Sequence, residues 1–150
     1  LSEADFKDPL RFLRFFAEVA GLVGQLHVGG VIHGDLVPPN IIVGPGNMPV
    51  LVDVGMLRIK NHFRTEGSTI LQEMPDRDIL SLGEIFWTMM SGKGIPDPAG
   101  DRPPLKPIEP MVDADLAMFG FRFMRSTPQP FSSAAEIRAT LSTVLAGVKY

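Results

Sequence analysis

Residues 78–90 read Asp78-Ile-Leu-Ser-Leu-Gly-Glu-Ile-Phe-Trp-Thr-Met-Met90. Ile79, Leu80, Leu82, Ile85, Phe86, Trp87, Met89 and Met90 keep a helical rhythm but fall on nearly every side of the helix. A surface helix needs a polar face, so one that is apolar almost all round is expected at the centre of a domain. Working outward, Asp8-Pro9 supplies an N-cap and a first helical residue. Phe12, Phe16, Val19, Ala20, Val23 and Leu26 then recur at helical spacing. This predicts an amphipathic helix over 8–28, which Gly29-Gly30 ends. On the other side, residues 92–112 are dense in proline and glycine and read as a long irregular connection. Two helices are expected beyond it. The first covers 113–125, with Leu116, Phe119 and Phe123 inward. The second covers 133–146, with Ser133-x-x-Glu136 as a capping box and Ile137, Leu141, Val144 and Leu145 on one stripe.

The period changes between the first and the central helix. Val31-Ile32, Ile41-Ile42-Val43 and Val50-Leu51-Val52 are short β-branched runs divided by Gly, Pro and Asn. The last two bracket Gly44-Pro45-Gly46-Asn47 and predict a small hairpin, and residues 58–75 read as a loop. The expected fold is therefore mainly α with a small β hairpin, around the single core that 150 residues can fill.

Composition narrows the function. A net charge of −3 argues against a broad nucleic-acid footprint, which needs a concentrated basic face. With no Cys there is no disulfide framework, thiolate zinc site or Cys nucleophile. The longest apolar stretch, 15–32, carries Glu18, Gln25 and His27, so no membrane segment is expected. The chain opens without a basic-then-apolar signal, and the expected location is the cytoplasm.

The hairpin region carries the chemistry. It reads Val31-Ile-His-Gly-Asp-Leu-Val-Pro-Pro-Asn-Ile-Ile-Val43, then Leu51-Val-Asp-Val-Gly55. Asp35, Asn40 and Asp53 fall in loops or at strand ends, where side chains can converge without burial. A carboxylate and an amide oxygen near a second carboxylate make a hard oxygen site suited to Mg²⁺, which takes further ligands from water and substrate phosphates. A further carboxylate can orient a hydroxyl nucleophile. Taken alone, the same residues are also ordinary turn chemistry in a Pro-rich loop, with His33 a packed histidine.

In combination, the motifs resemble the protein kinase superfamily. His33-Gly-Asp35-Leu-Val-Pro-Pro-Asn40 is similar to its catalytic loop, H-R-D-L-K-P-x-N, and Asp53-Val-Gly55 to its D-F-G segment. Leu26-His-x-Gly-Gly-Val-Ile-His33 matches the approach to that loop, and Asp78-Ile-Leu-Ser-Leu-Gly83 the start of the C-lobe's central helix. Thr127-Pro128 and Ser133-Ala-Ala-Glu136 resemble the stretch before the last helix of bacterial members. The resemblance is thus to the C-terminal lobe of a bacterial-type serine/threonine kinase and spans nearly the whole chain.

That resemblance implies roles. Asp35 would be the catalytic base, acting beside Asn40. Asn40 and Asp53 would hold Mg²⁺ on the phosphates of ATP, and Ile42 would form part of the floor beneath the adenine. His33 would pack under the metal-binding segment 53–55, and Asp78, capping the central helix, would bind the backbone of the catalytic loop 33–40. Several positions depart from the pattern. Gly34 replaces the usual Arg, Val37 the usual Lys and Val54 the usual Phe, and no A-P-E triplet appears. The glycine-rich loop, strand lysine and partner glutamate have no counterpart in these residues, so the segment alone is expected to be inactive. Three functions are compatible: phosphoryl transfer from ATP to a Ser/Thr hydroxyl of a protein substrate once an N-lobe completes the site; a pseudokinase scaffold holding nucleotide or a protein partner; or a small-molecule phosphotransferase of the aminoglycoside or choline type. An uncovered lobe interface would also favour self-association.

Overall fold

The computed structural model describes residues 1–55, 75–97, 99–100, 102–124 and 127–148. The expected loop therefore lies outside the described residues except for Pro75, which already belongs to a helix. The fold is mainly α with a small antiparallel hairpin. Helix α1 spans Pro9–Val28, strand β1 Ile41–Val43, strand β2 Pro49–Leu51, α2 Pro75–Ser91, α3 Pro110–Phe121 and α4 Ala134–Ala146.

Local chemistry sets these bounds. The Asp8 carboxylate accepts from the Leu10 N–H and Pro9 opens α1, whose first N–H groups need no helical partner. Helix α3 begins three residues earlier than the periodicity indicates. Pro110 stands in its first turn, where a proline costs nothing, so the proline that reads as part of the irregular connection is a helix start. The helix also stops at Phe121, short of the expected end. Helix α2 likewise starts a turn early, so Asp78 sits inside its first turn rather than at its cap. At α4 only half of the expected capping box forms. The Ser133 hydroxyl accepts from the Glu136 N–H, but the Glu136 carboxylate is taken by Arg122 and by the Ser132 hydroxyl. A guanidinium offers a charged hydrogen bond that outcompetes a backbone N–H. Val31-Ile32, read as a β-branched run, forms no strand and pairs with none among the described residues.

Helix α1 packs on α2, α4 and β2, and α3 closes the core against α2 and α4. Beyond its exposed first turn, the central helix buries all but a narrow stripe, on which Leu80, Ser81, Glu84 and Thr88 reach solvent. Phe86 lies at its centre. Its ring centroid is 5.9 Å from Phe16 of α1, 5.2 Å from Phe119 of α3 and 5.6 Å from Phe123. Such aromatic pairs add about 0.5–1.5 kcal/mol each beyond area burial. Trp87, the single tryptophan, is buried and donates its Nε1–H to the Gly120 carbonyl at 3.0 Å.

Helices α2 and α3 approach this closely because Gly120 has no side chain. A Cβ there would lie 2.8 Å from Phe86 Cε1 and 2.9 Å from Trp87 Cζ2. Gly120→Ala is therefore expected to destabilise the fold by about 1–3 kcal/mol, as overpacking of a tight core does. Chemical denaturation followed by Trp87 fluorescence checks this, and an unchanged midpoint would refute the close approach.

Candidate functional site

The chain leaves α1 through Gly29-Gly30, with the Val31 N–H donating back to the Leu26 carbonyl at 2.8 Å. It then runs without regular structure to Pro38–Asn40, a single 3₁₀ turn closed by the Asn40 N–H on the Val37 carbonyl, 2.8 Å. Strands β1 and β2 pair in the register Ile41↔Leu51, Ile42↔Val50 and Val43↔Pro49. The ladder continues one step further, because the Val52 N–H donates to the Asn40 carbonyl at 3.0 Å. Asp53 is thus delivered to the end of the hairpin beside Asn40. Its φ of 56° is left-handed, an uncommon conformation for a residue with a side chain, which Asp tolerates better than most.

Asp35 and Asn40 are joined directly. The Asn40 Nδ2 donates to the Asp35 carbonyl at 2.7 Å and to Asp35 Oδ2 at 3.3 Å. A carbonyl can only accept, so the amide nitrogen must face Asp35 and the amide oxygen Oδ1 faces away. The Asp53 carboxylate is exposed and takes no hydrogen bond from the described residues. Among the described residues no group of three or more His, Asp or Glu stands close enough to hold a metal ion by itself. The donor set that fits a divalent cation is Asn40 Oδ1 with Asp53: two hard oxygens that leave coordination positions for water and phosphate, the pattern magnesium prefers. Ile42 projects outward on the hairpin, half-exposed and directly opposite Val50, so the two form a small apolar face. Val37 is exposed as well.

Two buried residues hold this loop. His33 is fully buried, and its Nδ1 accepts from the Asp35 N–H at 3.2 Å. The other ring nitrogen, Nε2, must then carry the hydrogen, which it donates to the Val52 carbonyl at 2.9 Å. The His33 carbonyl accepts from the Gly55 N–H at 3.1 Å. One histidine therefore ties the residue before Asp53, the turn after it and the backbone of Asp35 into a unit. Asp78 supports it from α2. Its Oδ2 accepts from the His33 N–H at 2.9 Å and from His27 Nε2 at 2.8 Å, and its Oδ1 from the Gly34 N–H at 2.9 Å. Burial alone would raise the pKa of this carboxyl, but the His27 hydrogen bond and the two backbone N–H donors outweigh burial and hold it below the ordinary range.

Two members of this network carry no signal in the sequence pattern. His27 reads as a residue of the last turn of α1, yet its ring reaches Asp78. Arg77 reads as a polar residue before the central helix, yet its Nε donates to the Gly34 carbonyl at 2.8 Å. Both contacts join residues more than forty positions apart, which local periodicity does not encode.

Comparison with known proteins gives one match of this kind. The chain is 28% identical, over 92 residues, to a protein of Methanothermobacter thermautotrophicus described as a probable bifunctional tRNA threonylcarbamoyladenosine biosynthesis protein. The match covers 59% of this chain and 17% of that protein, so the chain spans only a small part of the relative's length. No protein-family model matches. These findings correct the resemblance to a bacterial-type serine/threonine kinase lobe, active or degenerate. The similarity that can be measured leads to a tRNA-modification protein instead. The physical reason lies in the positions noted above. Gly34, Val37, Val54 and the missing A-P-E triplet are where the kinase pattern lapses, and what remains is the set of oxygen donors. No helix among the described residues is long and apolar enough to cross a membrane.

Proposed function

We propose that this chain carries the metal-and-acceptor half of a site for Mg·ATP-dependent phosphoryl transfer to a hydroxyl, and that the protein containing it serves tRNA modification. The observation that carries the first part is the joining of Asp35 to Asn40 by the Asn40 amide, with Asp53 delivered beside them by the hairpin ladder. The match to a tRNA threonylcarbamoyladenosine biosynthesis protein supports the second. A net charge of −3 fits a division of labour in which this segment handles nucleotide rather than gripping RNA.

Asn40 Oδ1 and Asp53 would hold the cation. Magnesium, when bound, would neutralise the phosphate charge that two carboxylates would otherwise repel. Asp35 accepts the proton of the attacking hydroxyl, and the Asn40 amide on its Oδ2 fixes which oxygen remains available for that proton. His33 keeps Asp35 and the end of β2 in register through its two ring nitrogens. The apolar face of Ile42 and Val50 offers a surface on which a nucleobase can rest.

The test uses the full-length protein. Magnesium-dependent ATP binding, measured by calorimetry, is expected in the unmodified protein. It should fall at least about tenfold in Asp53→Asn, which removes the charged cation ligand. Because Asp53 is exposed, the thermal midpoint should move little. ATP binding that is indifferent to magnesium, or to Asp53, would overturn this reading.

A further inference from the structure

From His33 to Gly55 the chain contains no Lys or Arg, while Asp35 and Asp53 contribute two carboxylates. A site that gathers phosphate oxygens on a loop of this charge lacks a fixed positive group, and fixed positive groups supply much of the stabilisation in phosphoryl transfer. Position 37, two residues beyond Asp35, holds an exposed valine that cannot supply one. Among the described residues, one basic side chain hydrogen-bonds this loop from outside it. Arg77 of α2 donates its Nε–H to the Gly34 carbonyl at 2.8 Å, one residue before Asp35.

The contact is specific. The next residue, Asp78, takes the Gly34 N–H on its Oδ1 at 2.9 Å, so consecutive residues of α2 grip both polar groups of Gly34. Gly34 itself sits at φ 84°, open to glycine and strained for other residues, and this conformation turns its carbonyl to Arg77 and its N–H to Asp78. A guanidinium has five N–H donors. Arg77 is exposed, and the donor it gives to the loop is Nε–H. The terminal N–H groups of the fork stand one residue from Asp35 along the loop, beyond the donor that holds the Gly34 carbonyl.

We propose that Arg77 binds a phosphate oxyanion beside Asp35 and supplies the positive charge that the loop lacks. This rests on the nucleotide reading above and deepens it by naming the anion-binding side chain. The phosphate has two possible sources, the terminal group of the nucleotide or a phosphate carried by the acceptor. Both present the same oxygens to a guanidinium, and a planar fork suits them better than an ammonium does.

The test is calorimetry on the full-length protein and on Arg77→Gln and Arg77→Lys, with Mg·ADP, with Mg·ATP, and with inorganic phosphate added at saturating Mg·ADP. Gln can still donate to the Gly34 carbonyl, so it removes charge while keeping the anchor. Expected are Mg·ADP affinities within about twofold in all three proteins, and a loss of about tenfold or more in Arg77→Gln for one phosphate probe, consistent with a charge-assisted hydrogen bond. Lys should recover part of it. Loss of the preference for Mg·ATP over Mg·ADP would identify the nucleotide as the source; loss of inorganic phosphate binding alone would identify the acceptor. If Arg77→Gln binds every probe as the unmodified protein does, or loses Mg·ADP binding together with thermal stability, the proposal falls and Arg77 is a loop anchor only. Failure of the unmodified protein to bind Mg·ADP would instead bring down the nucleotide reading, and this inference with it.

Discussion

Asp78→Ala is expected to cost about 3–5 kcal/mol of unfolding free energy, because it removes one partner from a buried ionic and hydrogen-bonded group. The side chain is fully buried and accepts from the His33 N–H, the Gly34 N–H and the His27 ring. Deleting it leaves two buried backbone donors without a partner and a partly buried imidazole without its acceptor, and each unsatisfied buried donor costs about 1–3 kcal/mol. A domain of this size has only about 5–15 kcal/mol in total, so the variant should sit near its folding threshold. Urea denaturation monitored by Trp87 checks the size of the effect. The same residue gives a pH dependence of known sign. Its folded pKa lies below the ordinary value, so the stability it contributes is fully present above the unfolded pKa of about 3.9 and is lost as pH falls through the folded value. The gap in stability between the unmodified protein and Asp78→Ala should therefore be constant near neutrality and narrow below about pH 4. A gap that stayed constant into strong acid would mean that charge on Asp78 contributes nothing to the fold.

Asp35→Asn should separate chemistry from binding. Under the proposed function it lowers the rate of phosphoryl transfer by about 10²–10⁴-fold, the usual contribution of a positioned base. Affinity for Mg·ATP should change by no more than about threefold, because the proposed cation ligands are Asn40 and Asp53. The loop geometry should survive. The Asn40 amide donates to the backbone carbonyl of residue 35 at 2.7 Å, and that bond does not depend on the side chain. Measurement of turnover and of Mg·ATP affinity on one preparation is the check. A rate and an affinity that fall together would place Asp35 among the groups that hold the nucleotide rather than among those that act on the acceptor.

Much of the fold is legible in the residues because it is written locally. Asp8-Pro9 announces the start of α1, Gly29-Gly30 its end, and the β-branched runs around Gly44-Pro45-Gly46-Asn47 the hairpin. Such signals act within one turn of backbone, the range over which capping and turn chemistry operate. The failures have the same cause in reverse. Pro110 is locally ambiguous between breaking a chain and opening a helix, and packing of Val112, Leu116 and Phe119 into the core resolves it. Spacing pairs the Glu136 carboxylate with the Ser133 cap, but Arg122, fourteen residues away, holds it instead. The motif resemblance pointed to a bacterial-type kinase lobe, whereas the measured similarity leads to a tRNA-modification protein, because short motifs of turn and oxygen-bearing residues do not by themselves specify a lineage.

The amino-acid order by itself determined that the chain is mainly helical with one small hairpin, and that the apolar helix around residues 78–90 occupies the middle. Tertiary structure alone decided which hydrogen His33 carries, that His27 and two backbone amides share one buried carboxylate, and that Arg77 stands against Gly34. Periodicity and caps are properties of neighbours along the chain. A tautomer, a lowered carboxyl pKa and a cation held against a loop depend on groups that only folding brings into hydrogen-bond contact.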